Sequence, residues 1–272
     1  MKKTFTIILS ILLLASCINN DYKETQKLIS EADNFDIKTL SKITSKISDS
    51  KYSKDEALEI RNLYVQYLND MGSLISDSIN TLIFSTDIDN YKIEEITERK
   101  RLELQKYGIV LYNIEGELSY YILPYYVTSL FIDYLSPCEI ELSIVQQKEI
   151  EDPVIIDAGI VVPCSEIANR LHNTEMILQE CTDSTCFQEL HEFQQMYLML
   201  LIFGIDNTPA FDWNTHEMDM DFKNEIINYI NEYPELPSSK IFSEYIEILK
   251  KTNFKESKES RKFIEKLTKT FY

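Results

Sequence analysis

Apolar residues recur three and four positions apart along most of the chain, a spacing that predicts amphipathic helices. The longest pattern follows a capping box formed by Ser53 and Glu56 and runs to about Phe84. We interpret its heptad-spaced apolar positions as a stripe that faces the core: Ile60, Tyr64, Tyr67, Met71, Leu74 and Ser78. The same spacing predicts further helices at about 24–32, 36–47, 89–107, 127–135, 139–150, 166–180, 184–203, 219–231, 239–251 and 257–270.

Two short runs break this helical pattern. Residues 109–112 and 118–122 are rich in β-branched and aromatic side chains and flank a loop with Gly116, which predicts a β-hairpin. The apolar run 154–162 fits a buried helix or a short strand equally well. The predicted fold is therefore mainly α, with antiparallel, repeat-like helical hairpins and one small β-hairpin near 109–122. We divide it into a helical region at 26–107 and a second helical region at 108–272 that contains the hairpin.

The first seventeen residues have a composition of their own. Lys2 and Lys3 precede an apolar run from Phe5 to Leu14, which is too short to cross a bilayer. The run ends in Leu14-Ala15-Ser16-Cys17, which resembles the lipobox of bacterial lipoproteins. The resemblance implies a signal peptide at 1–16 and a diacylglycerol thioether on Cys17. It also implies an acylated new N-terminus. The polar residues that follow predict a tether at 17–25. The alternative is an ordinary cleaved signal peptide with a chance cysteine.

This resemblance also implies a location. Residue 18 is Ile rather than Asp, which in a bacterium with two membranes resembles a lipoprotein sent to the outer membrane. We therefore expect a cell-envelope protein held at its membrane by the lipids on Cys17.

The charge of the chain excludes one class of partner. Removing Lys2 and Lys3 with the leader takes the formal charge from −18 to −20, over 256 remaining residues. Such an acidic chain is repelled by nucleic-acid phosphates and by anionic lipids, so we expect no nucleic-acid binding. A basic protein partner is compatible with this charge, although solubility explains it equally well.

One connector carries a second resemblance. The segment Asn228-Tyr229-Ile230-Asn231-Glu232-Tyr233-Pro234, continued through Pro237-Ser238-Ser239, resembles helix junctions of tetratricopeptide-like envelope lipoproteins. The two predicted hairpins at 166–203 and 219–251 repeat after about fifty residues, whereas that family repeats every 34 and has a Trp/Gly/Ala signature that is absent here. The loop from Gly204 to Asp212 resembles one in bacterial lipoproteins of unassigned function.

Four further cysteines predict disulfides in an exported chain. Cys181 and Cys186 flank a short turn between two helices, so we favour that pair, with Cys138 and Cys164 as the second. Three connectivities remain open. No CxxC spacing supports a zinc site.

Two sets of residues are candidates for binding. An aromatic cluster surrounds Pro124, and such a cluster can stack on a sugar or a peptide, although core packing is the commoner role: Tyr120, Tyr121, Tyr125 and Tyr126. The loop after the helix at 184–203 gathers polar residues with one tryptophan: Asp206, Asn207, Asp212, Trp213 and His216. Its carboxylates could hold Ca²⁺, but the EF-hand spacing is missing and turn formation explains them better.

The sequence favours binding over catalysis. His191-Glu192 begins an HExx pattern, but Gln195 stands where a zincin needs its second histidine. We predict no cofactor and no metal, and we assign no catalytic residue. We expect a lipid-anchored scaffold or binding module for a protein or peptide partner. One alternative is an inhibitor or immunity-type lipoprotein against a basic envelope-active enzyme or toxin. Another is a hydrolase that uses the carboxylates of 206–221.

Overall fold

The computed structural model describes residues 20–32, 36–83, 90–114 and 117–271. The predicted leader, Cys17 and residues 17–19 of the predicted tether lie outside the described residues. The described part is mainly helical with small antiparallel β-hairpins, which confirms the predicted fold class. It divides into unit 1, which ends at Leu135, and unit 2, which begins at Ser136.

Unit 1 is built around one long helix. In chain order its elements are α1 (Asn20–Ser30), α2 (Ile37–Asp49), α3 (Lys54–Ile83), α4 (Asn90–Gln105), β1 (Ile109–Ile114), β2 (Glu117–Ile122), α5 (Pro124–Leu130) and a 3₁₀ turn (Ile132–Tyr134). The predicted capping box starts α3: the Ser53 N–H donates to Glu56 over 2.8 Å, and the Glu56 N–H donates to the Ser53 hydroxyl over 3.4 Å.

The tether predicted to extend to residue 25 is wrong in its second half, because α1 already begins at Asn20. Thr25 is fully buried, and its hydroxyl lies 3.0 Å from the Tyr52 hydroxyl. Residues 20–25 look like a polar linker in the sequence, yet they form the first turns of α1.

The predicted β-hairpin is confirmed, with Ile109 opposite Ile122 and Leu111 opposite Tyr120. It packs on α3: the Asn80 amide donates to the Leu118 carbonyl over 2.9 Å and accepts from the Leu118 N–H over 2.7 Å. The side chain of Asn80 thus takes the place of a neighbouring strand. The hairpin therefore belongs to unit 1, and the division falls after Leu135 rather than at the predicted residue 108.

Unit 2 surrounds the end of a buried helix. Its elements are α6 (Pro137–Glu151), β3 (Ile155–Ile156), β4 (Gly159–Ile160), α7 (Cys164–Glu180), α8 (Ser184–Phe203), β5 (Gly204–Ile205), β6 (Thr208–Pro209), α9 (Met220–Glu232), α10 (Pro237–Lys250) and α11 (Lys258–Phe271). The ambiguous run 154–162 forms a short β-hairpin. Its turn consists of two residues, Asp157 and Ala158, which both have positive φ. The last turns of α8 contribute Tyr197, Leu201 and Ile202 to the core.

Candidate functional site

The aromatic residues predicted as one cluster lie on different surfaces of unit 1. Tyr120 packs its ring over Gly72 of α3, where a Cβ would overlap the ring. Tyr121 points to the other face of the strand and meets Tyr112 edge to face, with 5.7 Å between ring centroids. Tyr120 and Tyr121 therefore cannot form one stacking platform.

The two tyrosines after Pro124 are half-buried. Tyr126 covers Gly108 with its ring. Burial raises the pKa of Tyr126, while hydrogen bonding to Tyr64 and Thr44 acts in the opposite direction. Tyr126 therefore belongs to the interior of unit 1. Tyr125, the fourth tyrosine of the predicted cluster, is half-buried as well.

The predicted polar loop of unit 2 forms turns. Asn207 donates from its backbone N–H to Ala158 over 2.9 Å and from its side chain to Asp157 over 2.7 Å, which joins the two short hairpins. Asp206 lies exposed at the tip of its hairpin. Asn207 therefore links the two hairpins, and Asp206 is an exposed residue of the turn.

The end of the same loop is also held by local bonds. The Asp212 carboxylate accepts from the N–H groups of Thr215 and Asn214 over 2.7 and 2.9 Å, and these bonds lower its pKa. Trp213 is 72% exposed. His216 is exposed and lies 3.5 Å from Glu256. Asp206, Asp212 and His216 all face solvent, so no observation favours a hydrolytic centre there.

The cysteine pairing predicted from proximity in sequence is wrong. Cys138 at the start of α6 pairs with Cys181 at the end of α7, with 5.3 Å between the Cα atoms. Cys186 is a buried free thiol in the first turn of α8, and Cys164 is a half-buried free thiol. The cause is that α6 and α7 are antiparallel, which places the first turn of one helix beside the last turn of the other.

An open groove lies between these two antiparallel helices, and α8 forms its floor. Its volume is about 580 Å³, within the range of roughly 300–1,000 Å³ that is typical of ligand sites. The walls are apolar in the middle, where Ile144 on α6 and Met176 on α7 are 42% and 43% exposed. Tyr197 contributes to the floor. Exposed apolar side chains on both walls of one groove are typical of a docking surface.

Both ends of this α6–α7 groove are fixed. The Cys138–Cys181 disulfide closes one end. At the other end Arg170, only 6% exposed, donates to Glu149 over 2.5 Å, to Asp152 over 2.9 Å and to Glu166 over 2.9 Å. A guanidinium with several carboxylate partners holds a defined geometry, so the spacing of α6 and α7 is set before any ligand binds.

Further bonds support the arginine cluster. The Tyr197 hydroxyl donates to Glu149 over 2.6 Å. Burial and this hydrogen bond raise the pKa of Tyr197, so the phenol stays protonated as a donor. Lys148 donates to Asp152 over 2.6 Å and is the main cause of the lowered pKa of that carboxyl.

A smaller cavity of about 340 Å³ lies on the opposite side of α7, against α8 and α10. Its polar groups already bond one another: Gln195 lies 2.7 Å from the Nδ1 of His191, and Gln194 donates to Glu175 over 2.9 Å. The α6–α7 groove, with its exposed apolar walls, is therefore the better candidate site.

Sequence reasoning missed this groove, although α6 carries a signal for it. Leu142 is buried in the unit, while Ile144, two positions further along, is 42% exposed. A helix with a second, exposed apolar position beside its buried stripe has a surface that a partner can cover.

Comparison of the chain with known proteins finds no relative: no family model, curated protein or solved structure matches it. None of the helices in the described ranges is both long and apolar enough to cross a bilayer. Across those same ranges, no three His, Cys, Asp or Glu side chains converge as ligands for a metal ion.

Proposed function

We propose that this chain is a lipid-anchored cell-envelope protein that binds a segment of a protein partner in the α6–α7 groove, without catalysis. The observation that carries the proposal is the groove itself. Its apolar walls are exposed, and a disulfide and a buried arginine cluster fix the distance between them. A site that is rigid before binding loses little conformational entropy when a partner enters.

The lipobox at Leu14 to Cys17 and the disulfide support the envelope location. Disulfides persist in oxidising spaces outside the cytosol, where a lipoprotein resides. More than one acyl chain on Cys17 would give a stable anchor, since each buried CH₂ contributes about 0.8 kcal/mol.

The anchor is tested by Cys17→Ser. We expect this variant to lose labelling by a radioactive fatty acid and to move from the membrane fraction to the soluble fraction. Continued membrane retention without label would contradict the anchor.

The groove is tested by photo-crosslinking in the cells that make the protein. A photoreactive residue at Asn173, which is exposed on the groove rim, is expected to give one discrete protein adduct. The adduct should disappear when Ile144→Asp is added, because a carboxylate in the apolar wall opposes an apolar ligand.

Asn224, which is exposed on α9, is the matched control for the same photoreactive residue. An adduct from Asn224 equal to that from Asn173, or an adduct from Asn173 that survives Ile144→Asp, would contradict the groove as the binding site.

A further inference from the structure

The side chains that line the α6–α7 groove form layers, one for each turn of the antiparallel helices. On α6 they follow at Cys138, Glu141, Ile144 and Lys148, and on α7 they run in the opposite direction. The disulfide is the first layer, and the order of the lining residues along the two helices places Glu141 and Glu180 in the second layer and Ile144, Val145, Met176 and Ile177 in the third. Lys148, Asn169 and Arg170 occupy the last layer. The groove therefore has a direction.

The two charged layers differ in what they offer a ligand. Lys148 and Arg170 are already neutralised by three carboxylates, those of Glu149, Asp152 and Glu166. Glu141 and Glu180 form no ion pair within the described residues. The end beside the disulfide thus presents two carboxylates without an ion-pair partner, whereas each of the three carboxylates at the other end already bonds to Lys148 or Arg170.

The surroundings strengthen this asymmetry. Residues 136–249 contain 22 Asp or Glu against four Lys or Arg, and two of those four are Lys148 and Arg170 in the groove. The last 23 residues of the chain carry eight basic against three acidic side chains, so positive charge in unit 2 is concentrated there. A positively charged segment approaching the groove is therefore attracted by the field of unit 2 as well as by the two glutamates.

We infer that the groove selects a cationic amphipathic peptide segment and binds it in one direction, with Lys or Arg beside the disulfide. Apolar side chains of the segment fill the layer between Ile144 and Met176. One helical turn separates that layer from the acidic layer, about 5 Å, so a helical ligand carries its basic residue three or four positions from its apolar anchor. The whole groove spans about three turns, or roughly 15 Å. This inference rests on the proposed binding function and adds the chemistry of the partner.

The test uses two fluorescein-labelled probe peptides and the mature chain with Cys17→Ser. Both probes are acetylated, amidated twelve-residue helices of Ala, Gln and two Leu anchors. One has two Lys residues one turn from the anchors, and its twin has two Glu residues there. Fluorescence anisotropy at low ionic strength should give a Kd about tenfold lower for the Lys probe, since each exposed ion pair contributes only modestly.

Two variants separate charge from apolar contact. E141Q/E180Q should reduce the preference for the Lys probe to about twofold or less. I144S/M176S should weaken both probes. E235Q/E244Q removes the same number of exposed charges outside the groove and should leave the preference intact.

Each failure identifies the claim that is wrong. If both probes bind equally and both depend on Ile144 and Met176, the cationic selection is overturned and the groove function stands. If E141Q/E180Q reduces the Lys preference no more than E235Q/E244Q does, the directed binding is overturned. If I144S/M176S changes the binding of neither probe, the groove function fails as well.

Discussion

The two units differ in the polar groups that they bury. In the described part of unit 1 the buried polar side chains are all hydroxyls, those of Thr25, Ser50, Ser76 and Thr128. Unit 2 buries hydroxyls too, but it also buries the charged side chains of Arg170 and Glu175. A buried hydroxyl needs one hydrogen bond, whereas a buried charge needs several partners in fixed positions.

Both buried charges of unit 2 lie on α7 and hold it from two sides. Arg170 bonds to carboxylates of α6 on the groove side. Glu175 accepts from the Tyr229 hydroxyl over 2.6 Å, from the Ser238 N–H over 2.9 Å and from Gln194 over 2.9 Å. The helix that forms one wall of the groove is therefore the one whose position is fixed by charge. This difference supports the placement of the proposed binding site in unit 2.

The largest expected effect is that of Arg170→Met. Removing the guanidinium leaves Glu149 without a counter-charge, which costs about 3–5 kcal/mol for a buried pair. Urea denaturation measures the loss. The control in unit 1 is Arg101→Met, which breaks an exposed pair with Glu98 and should change the free energy of unfolding little. Equal losses in both variants would contradict the contrast between the units.

The second-largest expected effect is that of removing the disulfide. The bridge closes a loop over a sequence separation of 43, so Cys138→Ser/Cys181→Ser should lower the free energy of unfolding by about 2–4 kcal/mol. Cys164→Ser, which alters a free thiol, should have a much smaller effect. Hydrogen exchange should locate the loosened amides of the double variant at the facing ends of α6 and α7, and loosening confined to unit 1 would refute the assignment.

A pair of substitutions then compares a carboxylate contact in unit 2 with a hydroxyl contact in unit 1. Glu175→Gln places an NH₂ group against donors that now meet a carboxylate, at a cost of about 1–3 kcal/mol. Thr44→Val in unit 1 removes the hydroxyl 2.9 Å from the Tyr64 hydroxyl, at a cost of about 1 kcal/mol. Thermal or urea unfolding measures both. A larger loss for Thr44→Val would reverse the comparison.

The smallest expected effect concerns surface carboxylates, which should behave alike in both units. Backbone N–H groups lower the pKa of Asp36 in unit 1 and of Asp212 in unit 2 below the usual 3.8. A lowered folded pKa gives stability that is present above about pH 4 and lost as the pH falls through the folded value. Asp36→Asn and Asp212→Asn should each flatten the acid limb of stability against pH, and an unchanged limb would show that the carboxylate is not the cause.

Local sequence patterns predicted much of the fold, and α3 shows where such a pattern no longer predicts which residues are buried. Its capping box and its buried residues Ile60, Tyr64 and Met71 were predicted correctly. Leu74, the next heptad position, is instead 51% exposed, and Ile79 is buried. A straight α-helix has 3.6 residues per turn, so a stripe with heptad spacing drifts away from the core after two or three turns.

The features of unit 2 depend on how elements meet, and the sequence carries only weak traces of them. The pairing of Cys138 with Cys181 follows from the antiparallel packing of α6 on α7, not from spacing. The groove likewise arises from two helices that share a floor on α8. By contrast, Asp212 is accounted for by local turn bonds to Asn214 and Thr215, which short-range patterns do indicate.

Methyl NMR of the full mature chain with Cys17→Ser tests the central claim most directly. The Lys probe peptide is titrated into protein with labelled Ile, Leu and Met methyl groups. We predict that the signals of Ile144 and Met176 shift with a common Kd, while those of Leu74 and Leu102, exposed apolar residues of unit 1, stay in place. Shifts at Leu74 and Leu102 with none at Ile144 and Met176 would contradict the account.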